Sequence, residues 1–129
     1  MGQQQLLLII LGVIIVGIAI AVGLSLFTAN SIQANKDAII NDLNNIAANA
    51  YQYRIRTATM GGGDNSYANY NIPTKLSSNS NATYAISTAG SKTGISFTGT
   101  SLSNTTCSVQ ADLDVNGNVK MSFVGSDFQ

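Results

Sequence analysis

From Leu6 to Phe27 the chain reads LLLIILGVIIVGIAIAVGLSLF, twenty-two residues without a charge and with Ser25 as the single polar side chain. No Lys, Arg, Asp or Glu occurs before Lys36. As a helix this stretch rises about 33 Å, enough for a hydrocarbon core of about 30 Å. Lipid offers backbone N–H and C=O groups no partner, and a helix pairs them within itself. The expectation is an apolar helix that crosses a membrane or is buried among other helices. A cleaved secretory signal is the competing reading. Against it stand the missing basic segment, the length of the apolar run and the lack of a clear small-x-small site after it.

The side chains expected to carry this helix's contacts are Leu6, Leu7, Leu8, Ile9, Ile10, Leu11, Val13, Ile14, Ile15, Val16, Ile18, Ile20, Val22, Leu24, Leu26 and Phe27. Gly17 with Ala21, and Ala19 with Gly23, make small-xxx-small pairs of the kind that let helices approach closely, a weak signal in a glycine-containing span.

The helical pattern continues past the apolar run. Ile32, Ile39, Leu43, Ile46 and Ala50 recur at spacings of seven, four, three and four, and Ile40 and Ala47 widen the stripe. Asn35, Asp37, Asn41, Asn44, Asn45 and Asn49 occupy the other positions. No Gly or Pro interrupts residues 24–60, and Gly61-Gly62-Gly63-Asp64-Asn65 ends the pattern sharply. One helix from about Gln3 to about Thr57 is expected, roughly 80 Å long. A membrane anchor followed by a separate surface helix is the alternative. Tyr51, Tyr53, Arg54 and Arg56 gather at the helix end, where cations suit the carbonyl-rich terminus.

Residues 61–129 read as β structure, with candidate strands at 82–87, 94–100, 106–115 and 119–124. In the third, Cys107, Val109, Ala111, Leu113 and Val115 alternate with polar residues. A three-residue loop over Asn116-Gly117-Asn118 would set Val115 opposite Val119, Leu113 opposite Met121 and Ala111 opposite Phe123. The helix stripe and the sheet each need a cover, and covering each other is the economical solution. The expected fold class is α+β: a long N-terminal helix, apolar then amphipathic, packed on a small antiparallel sheet. Three segments follow: 1–30 as membrane or filament-core helix, 31–60 as its amphipathic continuation, and 61–129 as connecting loop and sheet. Residues 61–80 are expected as loop, anchored by Tyr67, Tyr70, Ile72 and Leu76.

Composition narrows the chemistry. Only 9% of the 129 residues are charged and the net charge is zero, so neither a basic nucleic-acid binder nor an acidic tail protein is indicated. There is no His, no Trp and no Glu, and a single Cys, which leaves few catalytic or transition-metal constellations. An enzyme is not expected. Little charge repulsion keeps copies apart, which suits a chain that lives in a membrane or an assembly. Asp112, Asp114 and Asn116, with Gly117 following, copy the opening half of a calcium loop. Phe123 stands where the closing bidentate acid belongs, so a hairpin turn is favoured and no cofactor is expected, with Ca²⁺ as the weak candidate. Asn81 and Asn104 open Asn-x-Thr triplets that could accept glycans.

An apolar helical spine that continues as an amphipathic half on a small antiparallel sheet resembles a type IV pilin or pseudopilin, across the whole chain in layout. The resemblance implies a homopolymer: a helical, pilus-like filament at the cell surface, with Leu6–Phe27 as its spine. It also implies an inner-membrane precursor and a filament assembly machinery as partners. Pilin precursors usually place a hydrophobic residue and then an acid shortly after the Gly of their leader. Here Gly2 is followed by Gln3, Gln4 and Gln5, an N-terminal polar cap without charge. The alternative function is a single-span anchored protein whose β domain binds a partner outside the cell.

Overall fold

A computed structural model describes residues 2–128. Helix α1 runs Gly2–Ile55. A 3-10 turn (Ala58–Met60) and a single helical turn, α2 (Thr74–Ser77), follow. Four strands complete the fold: β1 (Ala82–Thr88), β2 (Gly94–Ser101), β3 (Ser108–Asp114) and β4 (Val119–Val124). They form one sheet in the order β1-β2-β3-β4, antiparallel throughout. The chain divides between Gln33 and Ala34 into two units. The second half of α1 and the sheet belong to the same unit, called the head below.

In the head, Ile39, Leu43, Ile46, Ala47 and Ala50 of α1 are buried at 0–1% exposure. Their i, i+4, i+7 spacing puts them on one face. From the sheet come Ala82, Tyr84, Ile95, Phe97, Val109, Ala111 and Leu113, at alternate positions of each strand. Gly99 lets the layers meet, since a Cβ there would lie 2.8 Å from the Tyr84 ring and 2.9 Å from Ile39. The α+β arrangement expected from the two apolar stripes is the one present.

Several polar positions of the helix are not solvent-facing, contrary to expectation. Asn35 accepts from the Ser101 hydroxyl at 2.7 Å and donates to the Asn81 carbonyl at 3.2 Å. Asn49 accepts from the Tyr70 hydroxyl at 2.7 Å. Asp42 Oδ2 accepts from the Tyr84 hydroxyl at 2.5 Å and from Asn79 Nδ2 at 2.6 Å. These side chains flank the apolar stripe and pin the surrounding loops to it, a role that periodicity alone does not reveal.

The helix stops because the following loop folds back to satisfy its last carbonyls. Gly63 N–H donates to Tyr53 C=O and Asn65 N–H to Arg54 C=O, both at 2.8 Å, and Asp64 N–H donates to Arg56 C=O at 3.0 Å. Asp64 and Asn65 take left-handed φ of 50° and 65° to do so. Gly63 is required by space, since a Cβ there would sit 1.9 Å from the Ser66 carbonyl oxygen. The loop then runs through Tyr67 and Tyr70, both buried as expected, with Ile72 and Leu76 half-buried. Tyr70 meets Tyr53 at 5.3 Å and Phe97 edge-on at 5.9 Å. The turn α2, within the stretch expected to be loop, leads to a bridge between Ser78 and Thr83 beside β1.

The β3–β4 hairpin corrects the expected register. Leu113 pairs with Val119, Ala111 with Met121 and Val109 with Phe123. The loop has three residues, but they are Val115–Gly117. Asp114 closes it: its Oδ1 accepts from the N–H groups of Asn116 (2.8 Å) and Asn118 (2.9 Å), and Asp114 N–H donates to Asn118 C=O. Gly117, at φ 85°, supplies the left-handed third position that such a loop needs. Val115 therefore leaves the strand and is 38% exposed. The shift is two residues in the pairing sum, so each side chain keeps the face assigned to it.

Burial raises three tyrosine hydroxyls above their ordinary value of 10. Tyr70 is pushed up to about 12 by burial. Tyr84 is raised by burial and then by its hydrogen bond to Asp42, and Tyr67 by burial against the opposing Arg54 charge. A native pKa above the unfolded one means that the native state holds more protons above pH 10, so stability falls as pH rises. Below pH 10 the contribution is fully present. Each such tyrosine costs up to about 1.4 kcal/mol per pH unit from there to its native value. Denaturant midpoints should be flat from pH 7 to 9 and drop steeply between pH 10 and 12. A midpoint unchanged at pH 11.5 would contradict the burial of these hydroxyls.

Candidate functional site

The outstanding surface is the apolar half of α1. Its most apolar 18-residue window has a mean hydropathy of 3.2 and no part of that window is buried within the chain. The helix is long and apolar enough to cross a membrane. Sixteen large apolar side chains between Leu6 and Phe27 are each 53–72% exposed, the same sixteen expected from the sequence to carry this helix's contacts. Taking about 60–120 Å² for full burial of each, the stretch offers on the order of 1,000 Å² of apolar surface. A soluble monomer rarely leaves that much in one patch. Gln3, Gln4 and Gln5 are exposed on the first turn, three neutral amides, each carrying both a donor and an acceptor. Thr28 Oγ1 donates to the Leu24 carbonyl at 2.9 Å, so this polar side chain satisfies itself on the helix.

The candidate calcium residues are placed otherwise than a cation loop would place them. Asp112 Oδ1 accepts from Ser96 Oγ (2.6 Å) and from Gln110 Nε2 (3.1 Å). Asp114 is turned onto its own loop, where the Asn118 N–H above all holds its carboxyl below the usual carboxylate range. Asn116 lies at the exposed hairpin tip and contributes its N–H there. No group of three or more His, Cys, Asp or Glu side chains converges among the described residues.

Cys107 is fully buried just before β3, with its sulfur 2.6 Å from where a Cβ on Gly125 would stand. Of the two glycan-acceptor triplets, Asn104 has its Nδ2 committed to Asp127 at 2.8 Å and its Oδ1 to the Thr106 hydroxyl at 2.6 Å. Asn81 is half-buried at the start of β1 and receives two donors on its carbonyl. At the helix end Arg54 lies over the Tyr67 ring at 5.5 Å, while the Tyr51 ring lies beneath Gly117. These groups brace the head rather than open a pocket.

One surface had no signal in the sequence. On the helix-facing side of the sheet, β2 and β3 bury their large side chains, while Ile86 of β1 and Val119, Met121 and Phe123 of β4 are only half-buried. The alternation that marks a strand does not tell an edge from a centre, and β4 is an edge.

Comparison of the chain with known protein families, with curated proteins and with solved structures returned no match.

Proposed function

We propose that this chain is a structural subunit, similar to a type IV pilin, that polymerises through Leu6–Phe27 into a helical cell-surface filament. The observation that carries the reading is the charge-free first half of α1, with sixteen large apolar side chains left more than half exposed. Such a surface requires either lipid or other copies of itself. A bundle of copies hides the side chains while each helix keeps its backbone paired. Lipid covers the same surface before assembly, so the precursor resides in the membrane and is handed to an assembly machinery. The head faces outward. No catalysis, cofactor or nucleic acid enters this reading.

The second reading is a single-span anchor with a partner-binding head, favoured by the length and hydropathy of the same helix. Electron microscopy of material sheared from cells with and without the gene separates the two. Thin filaments present only with the gene support the polymer. A chain confined to the membrane fraction, with no filaments, supports the anchor.

Within the polymer, the Gln3-Gln4-Gln5 turn takes the place of a charged contact. Amide groups pair with like amides on a neighbouring copy without a desolvated charge. Changing all three to Ala should reduce filament yield about ten-fold while leaving membrane insertion intact. Normal filaments from the triple variant would remove the amides from the assembly contact.

A further inference from the structure

The outer face of the sheet, turned away from α1, carries a row of polar side chains near its hairpin end. Thr88 of β1 pairs with Ser96 of β2, Ser96 with Asp112 of β3, and Asp112 with Lys120 of β4, so the row crosses all four strands. Ile95 and Leu113, the alternate positions, are buried against the helix, which sets Ser96 and Asp112 outward. In the next row Gly94 stands opposite Asp114. A Cβ at Gly94 would lie 2.7 Å from the Leu113 carbonyl oxygen, so that place stays bare. With the loop at 91–93 and Asn118 around it, the gap is a cleft of about 460 Å³. Small-molecule sites run from about 300 to 1,000 Å³.

The charged groups of this cleft are oriented but not spent. Both hydrogen bonds to Asp112 fall on Oδ1, from Ser96 Oγ and Gln110 Nε2, and leave Oδ2 without a protein donor. Lys120 is exposed on the neighbouring strand, and among the described residues nothing pairs with its Nζ. The Thr88 hydroxyl is likewise without a partner among them. Asp114, the other acid of the lining, is turned onto its own loop by the N–H groups of Asn116 and Asn118.

Such a set selects its ligand by charge. An anion meets Asp112 and Asp114, and a cation meets Lys120. An apolar ligand strips water from both charges and returns nothing. A neutral hydroxyl satisfies both at once. Its O–H donates to Asp112 Oδ2 and its lone pairs accept from Lys120 Nζ, two charge-assisted hydrogen bonds through one uncharged group. Further hydroxyls find Thr88 and Thr93 in the same lining, each able to donate and to accept. A zwitterion meets the two charges but leaves these hydroxyls idle.

We propose that the cleft lined by Thr88, Thr93, Asp112 and Lys120 binds a saccharide, a neutral ligand dense in hydroxyls. Asp112 and Lys120 make the contacts, and Ser96 and Gln110 are positioning residues that hold the carboxylate. The proposal goes beyond the polymer reading and stands whether or not the chain assembles. On a filament with its heads outward, it places one sugar site on every subunit.

The test is saturation-transfer NMR on the full-length chain in dodecylphosphocholine, a detergent without a sugar headgroup. The probes are the methyl glycosides of glucose, galactose, mannose and N-acetylglucosamine, with glycine as the zwitterion. At least one glycoside should show transfer, and Asp112→Asn and Lys120→Met should each lower it at least ten-fold. Ser122→Ala, exposed on the same face but outside the cleft, should leave it unchanged. Melting temperatures followed through the tyrosine signal check that each variant is folded. The trisaccharide of the responding sugar then separates two sources of the same chemistry. Transfer retained assigns a glycan chain and transfer lost assigns a free sugar, and either supports the site. No transfer from any of the four glycosides, transfer from glycine alone, or transfer undiminished in both cleft variants would overturn the proposal.

Discussion

Cells making the Ile14→Asp chain should shed no filaments, with yield at least about 100-fold below the unaltered chain. Ile14 is 53% exposed on a helix whose neighbours for a turn in each direction are apolar. An Asp at the centre of a membrane helix costs about 2.5–3.5 kcal/mol in insertion, a factor of about 100 in the insertion equilibrium constant. Survivors of that step meet a second cost. Every copy in a bundle would carry the same buried anion, and no Lys or Arg lies within the first thirty-five residues to pair with it. Ile14→Val removes one methylene and should hold yield within about two-fold, which separates charge from packing. Fractionation beside microscopy locates the fault. Loss of the chain from the membrane fraction places it at insertion, and a membrane-bound chain without filaments places it at assembly. Filaments of normal abundance from Ile14→Asp would refute burial of this helix in an apolar core.

Phe97→Ala should destabilise the head by about 3–5 kcal/mol. Phe97 is fully buried at the middle of β2, pairs with Ile86 on one side and Ala111 on the other, and takes the edge of the Tyr70 ring. Removing a buried phenylalanine costs about 3–5 kcal/mol, because the transfer energy is lost and the cavity only partly collapses. A head of this size holds roughly 5–14 kcal/mol in total. A loss of this size should lower the melting temperature by at least about 12 °C. Thr98→Ala, one residue along on the outer face and half-buried, should stay within about 0.5 kcal/mol. Thermal melts of the full-length chain in detergent, followed through the tyrosine signal, compare the two. Equal melting temperatures would contradict the placement of Phe97 in the core. The membrane fraction of Phe97→Ala should be unchanged, because the apolar half of α1 belongs to the other unit.

The helix was legible because it is written in two redundant ways, an uninterrupted apolar run and then a 3.6-residue stripe, with three glycines at its end. The strands were legible because one face of each is buried, which imposes alternation on Val, Phe, Leu and Ile. The hairpin register was not. Periodicity constrains it only to even shifts, and the choice fell to the Asp114 carboxylate, which binds two loop N–H groups and so expels Val115 from the strand. The roles of Asn35, Asp42 and Asn49 were hidden for a related reason. A polar residue beside an apolar stripe looks the same whether it meets water or a buried hydroxyl brought from more than twenty residues away.

The sequence by itself therefore determined the local elements and the chemistry of the apolar helix. Both follow from which side chains water rejects, at a spacing set by the backbone. How far the edge strands are buried was decided only by the tertiary structure. The loop after the helix turns on its glycines and left-handed residues and bonds Tyr67 to Ser91 and to Asp114. Ile86, Val119, Met121 and Phe123 stay half-exposed, since burial of an edge strand depends on what the rest of the chain lays beside it and not on the strand's own residues.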